Sequence, residues 1–202
     1  MAASFAFVLM LASATGPSFG CGTMLQPTEK MICEDDELAA SDRAQTMVWL
    51  TTSKKERAPQ RHWLAERDKC GANRQCLFDK YDEWFESNQV DWQPSFDRKS
   101  GPKFPASLTI RPVGGDWYAF SVNAFYFYKM RDGGESVNDG GAWGVIHLVS
   151  GVGHYPAHKS AEACSFTLSK VSQGWRIDDS MESCGGLHVT LDGNYRLHLR
   201  RR

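Results

Sequence analysis

The stretch Asp91-Trp92-Gln93-Pro94-Ser95-Phe96-Asp97-Arg98-Lys99-Ser100-Gly101-Pro102-Lys103-Phe104-Pro105 decides how the rest of the chain is read. Its prolines remove backbone donors, and its glycine adds freedom that neither a helix nor a ladder tolerates well, so it reads as a linker. Trp92, Phe96 and Phe104 are expected to pack back onto a neighbouring half, which makes it a fixed connection. Residues 28–86 before it carry helical periodicity, and residues 106–199 after it alternate in the manner of strands. The expected fold class is therefore α+β. A small disulfide-stapled N-terminal helical domain spans 17–90, the linker 91–105, and a C-terminal antiparallel β domain 106–202. No internal repeat is visible.

Upstream of the linker, Thr28 is the expected cap of a short helix through Cys33. Asp35 or Asp36 caps a second helix running to about Thr51. The acidic start of that helix, Glu34-Asp35-Asp36-Glu37, suits the positive end of the helix dipole. Pro59 stands at the start of a third helix, where a missing N–H costs nothing, and this helix runs to Lys69. A last helix begins near Arg74 and aligns Leu77, Tyr81, Trp84 and Phe85 on one face. Downstream, Trp117, Ala119, Ser121 and Asn123 alternate with Tyr118, Phe120, Val122 and Ala124. Cys164, Phe166 and Leu168 repeat at two. Gln173-Gly174 reads as a turn leading into a return strand at Trp175. Leu187, Val189 and Leu191 alternate before Asp192-Gly193, a hairpin signal, and Tyr195, Leu197 and Leu199 follow. The pattern is an antiparallel meander.

The two ends bear on the compartment. Phe5-Ala6-Phe7-Val8-Leu9-Met10-Leu11 is an apolar run followed by the small-x-small pattern Ala12-Ser13-Ala14. Residues 1–16 thus read as a secretion signal, too short for the ~20 apolar residues of a membrane span. Export to the periplasm or beyond is expected, and the mature chain is not expected to span a membrane. The chain of 202 residues has a formal net charge of -1, which argues against nucleic acid as a partner. Its six cysteines are Cys21, Cys33, Cys70, Cys76, Cys164 and Cys184. An even count in an exported chain reads as a disulfide framework. Their clustering suggests Cys21–Cys33, Cys70–Cys76 and Cys164–Cys184. Zinc, the competing reading, wants closely spaced pairs such as C-x-x-C, and there are none. A lipid anchor on Cys21 is a further alternative, although Ser18-Phe19-Gly20 lacks the aliphatic residue that lipoprotein signals carry.

The helical half has a recognisable order of residues. Cys21, Thr28-Glu29, Ile32-Cys33, Leu38 and Asp42 are followed by Gln60-Arg61, Trp63-Leu64, Arg67-Asp68, Cys70, Cys76-Leu77 and Tyr81. This order and spacing resembles the N-terminal domain of the lysozyme-inhibitor LprI family, over about residues 21–86. The sequence departs from the family pattern at Ser41 and Gln45, where leucine is usual, and at Trp49, where tyrosine is usual. It departs again at Pro59, inside a typically longer helix, and at Trp84, which replaces an arginine. The resemblance implies a compact helical fold. Trp63 and Tyr81 read as core, because aromatics supply most of the burial in so small a unit. Asp42 and Arg67 read as an ion pair across helices, and Gln60 and Arg61 as braces of a neighbouring helix end.

No catalytic constellation is expected, and neither a cofactor nor a metal. His154 and His158 have i, i+4 spacing, but Tyr155-Pro156 lies between them. The remaining histidines are His62, His147, His188 and His198. No Gly-x-Ser-x-Gly elbow, Walker loop or His-Glu-x-x-His is present. Asp132-Gly133-Gly134 and Asp139-Gly140-Gly141 are loop signals without a following helix.

The resemblance implies a binding protein that inhibits a C-type lysozyme. Such enzymes are usually basic, with two carboxylates in a cleft. An inhibitor needs an acidic rim for steering, for which Glu34, Asp35, Asp36 and Glu37 are candidates. It also needs a loop that enters the cleft. The candidates are 131–141, with Arg131, Glu135 and Asn138, and 150–159, with Ser150, His154 and Tyr155. Ser150-Gly151 and Tyr155 are similar, with one residue more, to the Ser-Gly-x-x-Tyr loop of another periplasmic lysozyme-inhibitor family. The alternative is an envelope adaptor that binds another protein or a wall fragment.

Overall fold

Prolines and caps set where the helices begin. In the computed structural model, which describes residues 15–51, 58–88, 94–98, 104–156, 164–179 and 184–198, four helices precede a run of strands. Helix α1 is Pro27–Glu34, α2 is Asp36–Thr51, α3 is Ala58–Asp68 and α4 is Arg74–Asn88. The expected elements are thus present with small shifts of their ends. Thr28 is not a cap. It lies inside α1 behind Pro27, is buried, and donates its Oγ1 to the Asp68 carbonyl at 3.1 Å. Asp35 is the residue that caps α2: one carboxylate oxygen accepts from the Glu37 and Leu38 amides, both at 3.0 Å. On α4, Leu77, Tyr81, Trp84 and Phe85 are all buried, as their spacing requires, and Phe78 joins them.

The strands are β1 Ser95–Arg98, β2 Ala106–Gly114, β3 Trp117–Lys129, β4 Glu135–His147, β5 Val152–Tyr155, β6 Phe166–Val171, β7 Gly174–Asp178 and β8 Gly193–Leu197. All pair antiparallel in one eight-stranded sheet of order β4-β3-β2-β1-β8-β7-β6-β5. The outermost strands β4 and β5 are consecutive in the chain. Val149 and Val152 exchange both backbone hydrogen bonds between them, at 2.9 and 3.1 Å. The sheet therefore curls until its two edges meet at that corner, nearly a barrel. Gly140 bridges to Gly185 across another part of the seam, where a Cβ on Gly140 would lie 2.4 Å from the Gly185 Cα. That approach is open only to glycine. Gly140-Gly141 is strand, not loop.

Three further expectations are corrected. Ser95–Arg98 within the expected linker is a strand between β2 and β8. Pro94 and Pro105 flank strands instead of interrupting them, and Phe96 is buried between the sheet's walls. Phe104 does pack back, stacked on Tyr126 at 5.2 Å between centroids, while Trp92 lies outside the described residues. Residues 187–191 form no strand. Val189 and Leu191 are buried as coil, with the Leu191 amide held by the Asp179 carboxylate at 3.1 Å. Their hairpin with β8 is absent, and β8 pairs with β7 and β1 instead. Finally, the helices are not a separately packed unit. Ile32, Leu38, Leu77 and Phe78 share one buried cluster with Val113, Trp117, Ala119 and Val145 of the strands.

The alternation along β3 explains this arrangement. Trp117 and Ala119 face the helices, while Phe120, Val122 and Ala124 face the interior of the curled sheet, with Leu108, Ile110 and Leu168. Both faces of one strand are apolar because each is covered, one by helix and one by sheet. The three disulfides are Cys21–Cys33, Cys70–Cys76 and Cys164–Cys184, as the clustering suggests. The Cys21 sulfur is thereby committed to a bridge. No helix among the described residues is long and apolar enough to cross a membrane. The apolar run and its small-x-small pattern, through Ala14, lie outside the described residues.

Candidate functional site

The residues that carry the family-like pattern divide into two groups in space. Asp42, Arg67 and Tyr81 form a buried cluster across α2, α3 and α4. The Arg67 Nη1 donates to the Asp42 carboxylate and to the Tyr81 hydroxyl, both at 3.3 Å, and the Tyr81 hydroxyl donates to Asp42, also at 3.3 Å. Burial raises the Tyr81 hydroxyl pKa, and the nearby Asp42 charge pushes it the same way. Burial works to lower the Arg67 pKa, but Tyr81 and Asp68 outweigh it and the net shift is upward. Trp63 stacks at 5.4 Å from the Tyr81 ring and donates its indole N–H to the Lys80 carbonyl at 3.3 Å. This cluster is the expected core ion pair. Asp42 and Arg67 also border the cavity beside it.

Gln60, Arg61 and Leu64 open onto a cavity of about 880 Å³ between α2, α3 and Ser18-Phe19. The chain's early segment closes one side. Ser18 donates its amide (2.8 Å) and hydroxyl (2.5 Å) to the second Asp42 oxygen, and Thr46 donates to the Ser18 hydroxyl at 2.9 Å. Phe19 is thereby set against the helices. Beneath them lies Gln45, only 2% exposed, with its Nε2 unpartnered. An amide left so costs roughly 1–3 kcal/mol.

Arg43 anchors the same segment from the other side of α2. Its guanidinium is buried and donates only to backbone carbonyls: Val113 and Gly16 at 2.5 Å, Thr15 at 2.8 Å and Gly114 at 3.3 Å. Burial draws the Arg43 pKa below its ordinary value, against the pull of Asp42 and Asp36. One side chain thus ties a helix, the β2–β3 turn and the early segment together.

The acidic run is split by its own geometry. Glu34 and Asp36 are exposed. Asp35 is taken up by the cap and by Arg74, whose Nε lies 2.6 Å from its carboxylate, and Glu37 is buried at 7% exposure. The rim offers two carboxylates, not four.

The two insertion-loop candidates also take another form. Most of 131–141 is strand β4, with a turn at Met130–Gly134 closed by the Met130 amide on the Gly134 carbonyl at 2.8 Å. Arg131 and Glu135 are exposed at this tip, and Asn138 donates to the Leu187 carbonyl at 2.8 Å. Ser150 lies in the β4–β5 turn at φ 53°, and His154 is exposed on β5, its ring nitrogen 3.0 Å from the Thr167 hydroxyl. Tyr155 points the other way, packed on Phe120 and Phe166, and donates to the Trp143 carbonyl at 3.0 Å. Residues 157–159, with His158, lie outside the described residues. Arg131 and Ser150 sit at opposite ends of β4, roughly 35–40 Å apart at the ~3.3 Å rise of a strand. The structure does not bring these candidates together.

What sequence reasoning missed lies next to that tip. Strand β2 pairs with β3 only as far as Ala124, so residues 125–139 run on as a two-stranded ribbon. Its inner face is braced by Tyr126 against Phe104, Tyr128 and His188. On its outer face Phe125, Phe127 and Val137 are 37, 46 and 45% exposed, with Phe127 directly opposite Val137. The four consecutive aromatics Phe125-Tyr126-Phe127-Tyr128 were the available signal. Arg43 gave none, because its partners are main-chain atoms. No group of His, Cys, Asp and Glu able to hold a metal occurs among the described residues. No protein-family model, no curated protein and no solved structure matches this chain.

Proposed function

We propose that the protein is an exported binding protein of the bacterial envelope that engages a C-type lysozyme through the tip of the β3–β4 ribbon. The observation that carries a protein-binding role is the apolar outer face of that ribbon. Phe125, Phe127 and Val137 lie side by side, beyond the helical cover, and are rimmed by Lys129, Arg131, Glu135 and Asp139. Exposed apolar patches with polar rims mark interaction sites, and aromatic anchors contribute most of an interface's energy. A two-stranded ribbon braced on its inner face is stiff and narrow, the form that enters a cleft. The choice of lysozyme rests on the residue pattern of 21–86, and export rests on the three disulfides and the apolar start of the chain. With Glu34 and Asp36 as the exposed acidic pair, steering of a basic partner is modest.

The test is inhibition of a C-type lysozyme by the oxidised protein, with Phe127→Ser and Val137→Ser as variants on the half-exposed face of the ribbon. Wild type should inhibit, and each variant should weaken inhibition about tenfold or more with an unchanged circular dichroism spectrum. Full lysozyme activity in a large molar excess of folded protein overturns the lysozyme reading, and the envelope-adaptor reading then takes its place.

A further inference from the structure

We propose that the cavity between α2, α3 and Ser18-Phe19 is a second binding site, for an N-acylated amino acid carrying a free carboxylate. The ligand is a small molecule or the C-terminal residue of a peptide, and Gln45 is its buried anchor.

The argument starts from which polar groups around the cavity are already satisfied. The Asp42 carboxylate accepts from Arg67, Tyr81 and twice from Ser18. The Glu29 carboxylate accepts from the Gln26 amide at 2.9 Å and so closes the start of α1. Both acidic groups on the wall are held in the fold, so the cavity does not select a cation. Two donors stand out among the groups that remain. Gln45 is buried beneath the cavity with an unpartnered Nε2, the one such side-chain atom among the described residues. Arg61 is exposed on α3 at the same cavity. Buried polar atoms are almost always paired, and one left over calls for an explanation. A ligand acceptor supplies it.

The rest of the lining sets the shape. Phe19, Trp49 and Leu64 provide apolar walls. Gln45 and Trp49 are four residues apart on α2, hence one above the other on one helix face. An occupant therefore needs a carbonyl oxygen for Gln45, an apolar side group for the walls and an anionic end for Arg61. An acylated apolar amino acid has these three features. The volume of about 880 Å³ lies in the range of sites for ligands of this size.

The site is independent of the β3–β4 ribbon, and its test uses no lysozyme. The full oxidised chain is titrated with N-acetyl-phenylalanine, with the corresponding primary amide, and with a short acetylated peptide ending in phenylalanine carboxylate. The side-chain amide resonances of Gln45 and calorimetry are followed. The carboxylate should shift the Gln45 resonances saturably and bind at least about tenfold more tightly than the amide. Gln45→Leu should weaken binding at least about tenfold, and Gln45→Met serves if the leucine variant melts early. Arg61→Gln should remove the preference for carboxylate over amide. Tighter binding of the peptide assigns the site to a chain terminus, and tighter binding of the free compound assigns it to a small molecule. Unmoved Gln45 resonances at millimolar ligand overturn the proposal. So does binding that is the same in the Gln45 variants, which would leave Gln45 a structural residue.

Discussion

Arg43 on α2 donates its Nε to the carbonyl oxygen of Val113 at the end of β2, at 2.5 Å. This contact fastens the helical layer to the sheet. A guanidinium surrounded by main-chain carbonyls has no ionic partner to lose. Replacing it leaves those acceptors buried without a donor, at roughly 1–3 kcal/mol for each unsatisfied group. Arg43→Met should therefore destabilise the protein by about 2–4 kcal/mol in urea titration. Arg176→Met, at an exposed ion pair 3.9 Å from Asp192, should change stability by less than about 1 kcal/mol. Equal effects would show that Arg43 fastens nothing.

The acidic run gives a second contrast. Asp35→Ala removes the cap of α2 and breaks the ion pair with Arg74, a loss of about 1–2 kcal/mol by chemical denaturation. Asp36→Asn, exposed in the first turn, should cost no more than ~0.5 kcal/mol. If the run steers a basic partner, replacing Glu34 and Asp36 should slow association at low salt and have little effect at high salt. A large stability loss at Asp36 would contradict the division of roles.

Alkaline pH tests the core. Burial raises the pKa of Tyr81, Tyr155 and Tyr195 above the ordinary tyrosine value of 10.0. Below that value both folded and unfolded chains hold these protons, and the stability they confer is complete. Above it the unfolded chain releases them first, so stability falls as pH rises. Unfolding free energy should hold level to about pH 9 and drop beyond pH ~10. The tyrosinate absorbance of these three residues should appear together with the loss of circular dichroism. Early titration of all six tyrosines in the folded protein would refute the burial.

The bridges differ in the loops they close. Cys164–Cys184 spans 20 residues, Cys21–Cys33 spans 12 and Cys70–Cys76 spans 6. Constraint of the unfolded chain grows with loop length. Replacing Cys164 and Cys184 by serine should therefore cost the most, about 2–4 kcal/mol, and removing Cys70–Cys76 the least. Melting temperatures of the three double variants give the order. Peptide mapping without reductant that showed a Cys76–Cys164 link would overturn the pairing.

The helices were legible because their signals are local. Asp35 at a cap and the i, i+4, i+7, i+8 spacing on α4 act within a few residues of themselves. The alternation of β3 was legible for the same reason. Strand β1 was not, because a four-residue strand between prolines has no period of its own and exists only through β2 and β8. Residues 187–191 alternate as well as any strand, yet Asp179 and the seam at Gly185 hold them as coil. At the sites, the core role of Tyr81 followed from its helix spacing, and the pairing of Asp42 with Arg67 from opposite charges among the residues that carry the resemblance. The cavity beside them depends on where residues 15–19 dock, and the ribbon's exposed face on where β2 stops. Neither is written in the local pattern.

The place of β8 has a consequence for how the protein acquires its structure. It is the last described strand, yet it lies in the interior of the sheet order, between β1 and β7. His198 just beyond it meets Asp97 across 101 residues of chain. Closing so wide a separation is slow, and it cannot start until residues 193–198 are available. A polypeptide halted before residue 193 would present both β1 and β7 as bare edges, the surfaces on which sheets of different molecules join. Strand β8 thus decides whether those two edges are covered. Synthesis delivers this strand after every other described one, and it is the strand that joins the two halves of the sheet.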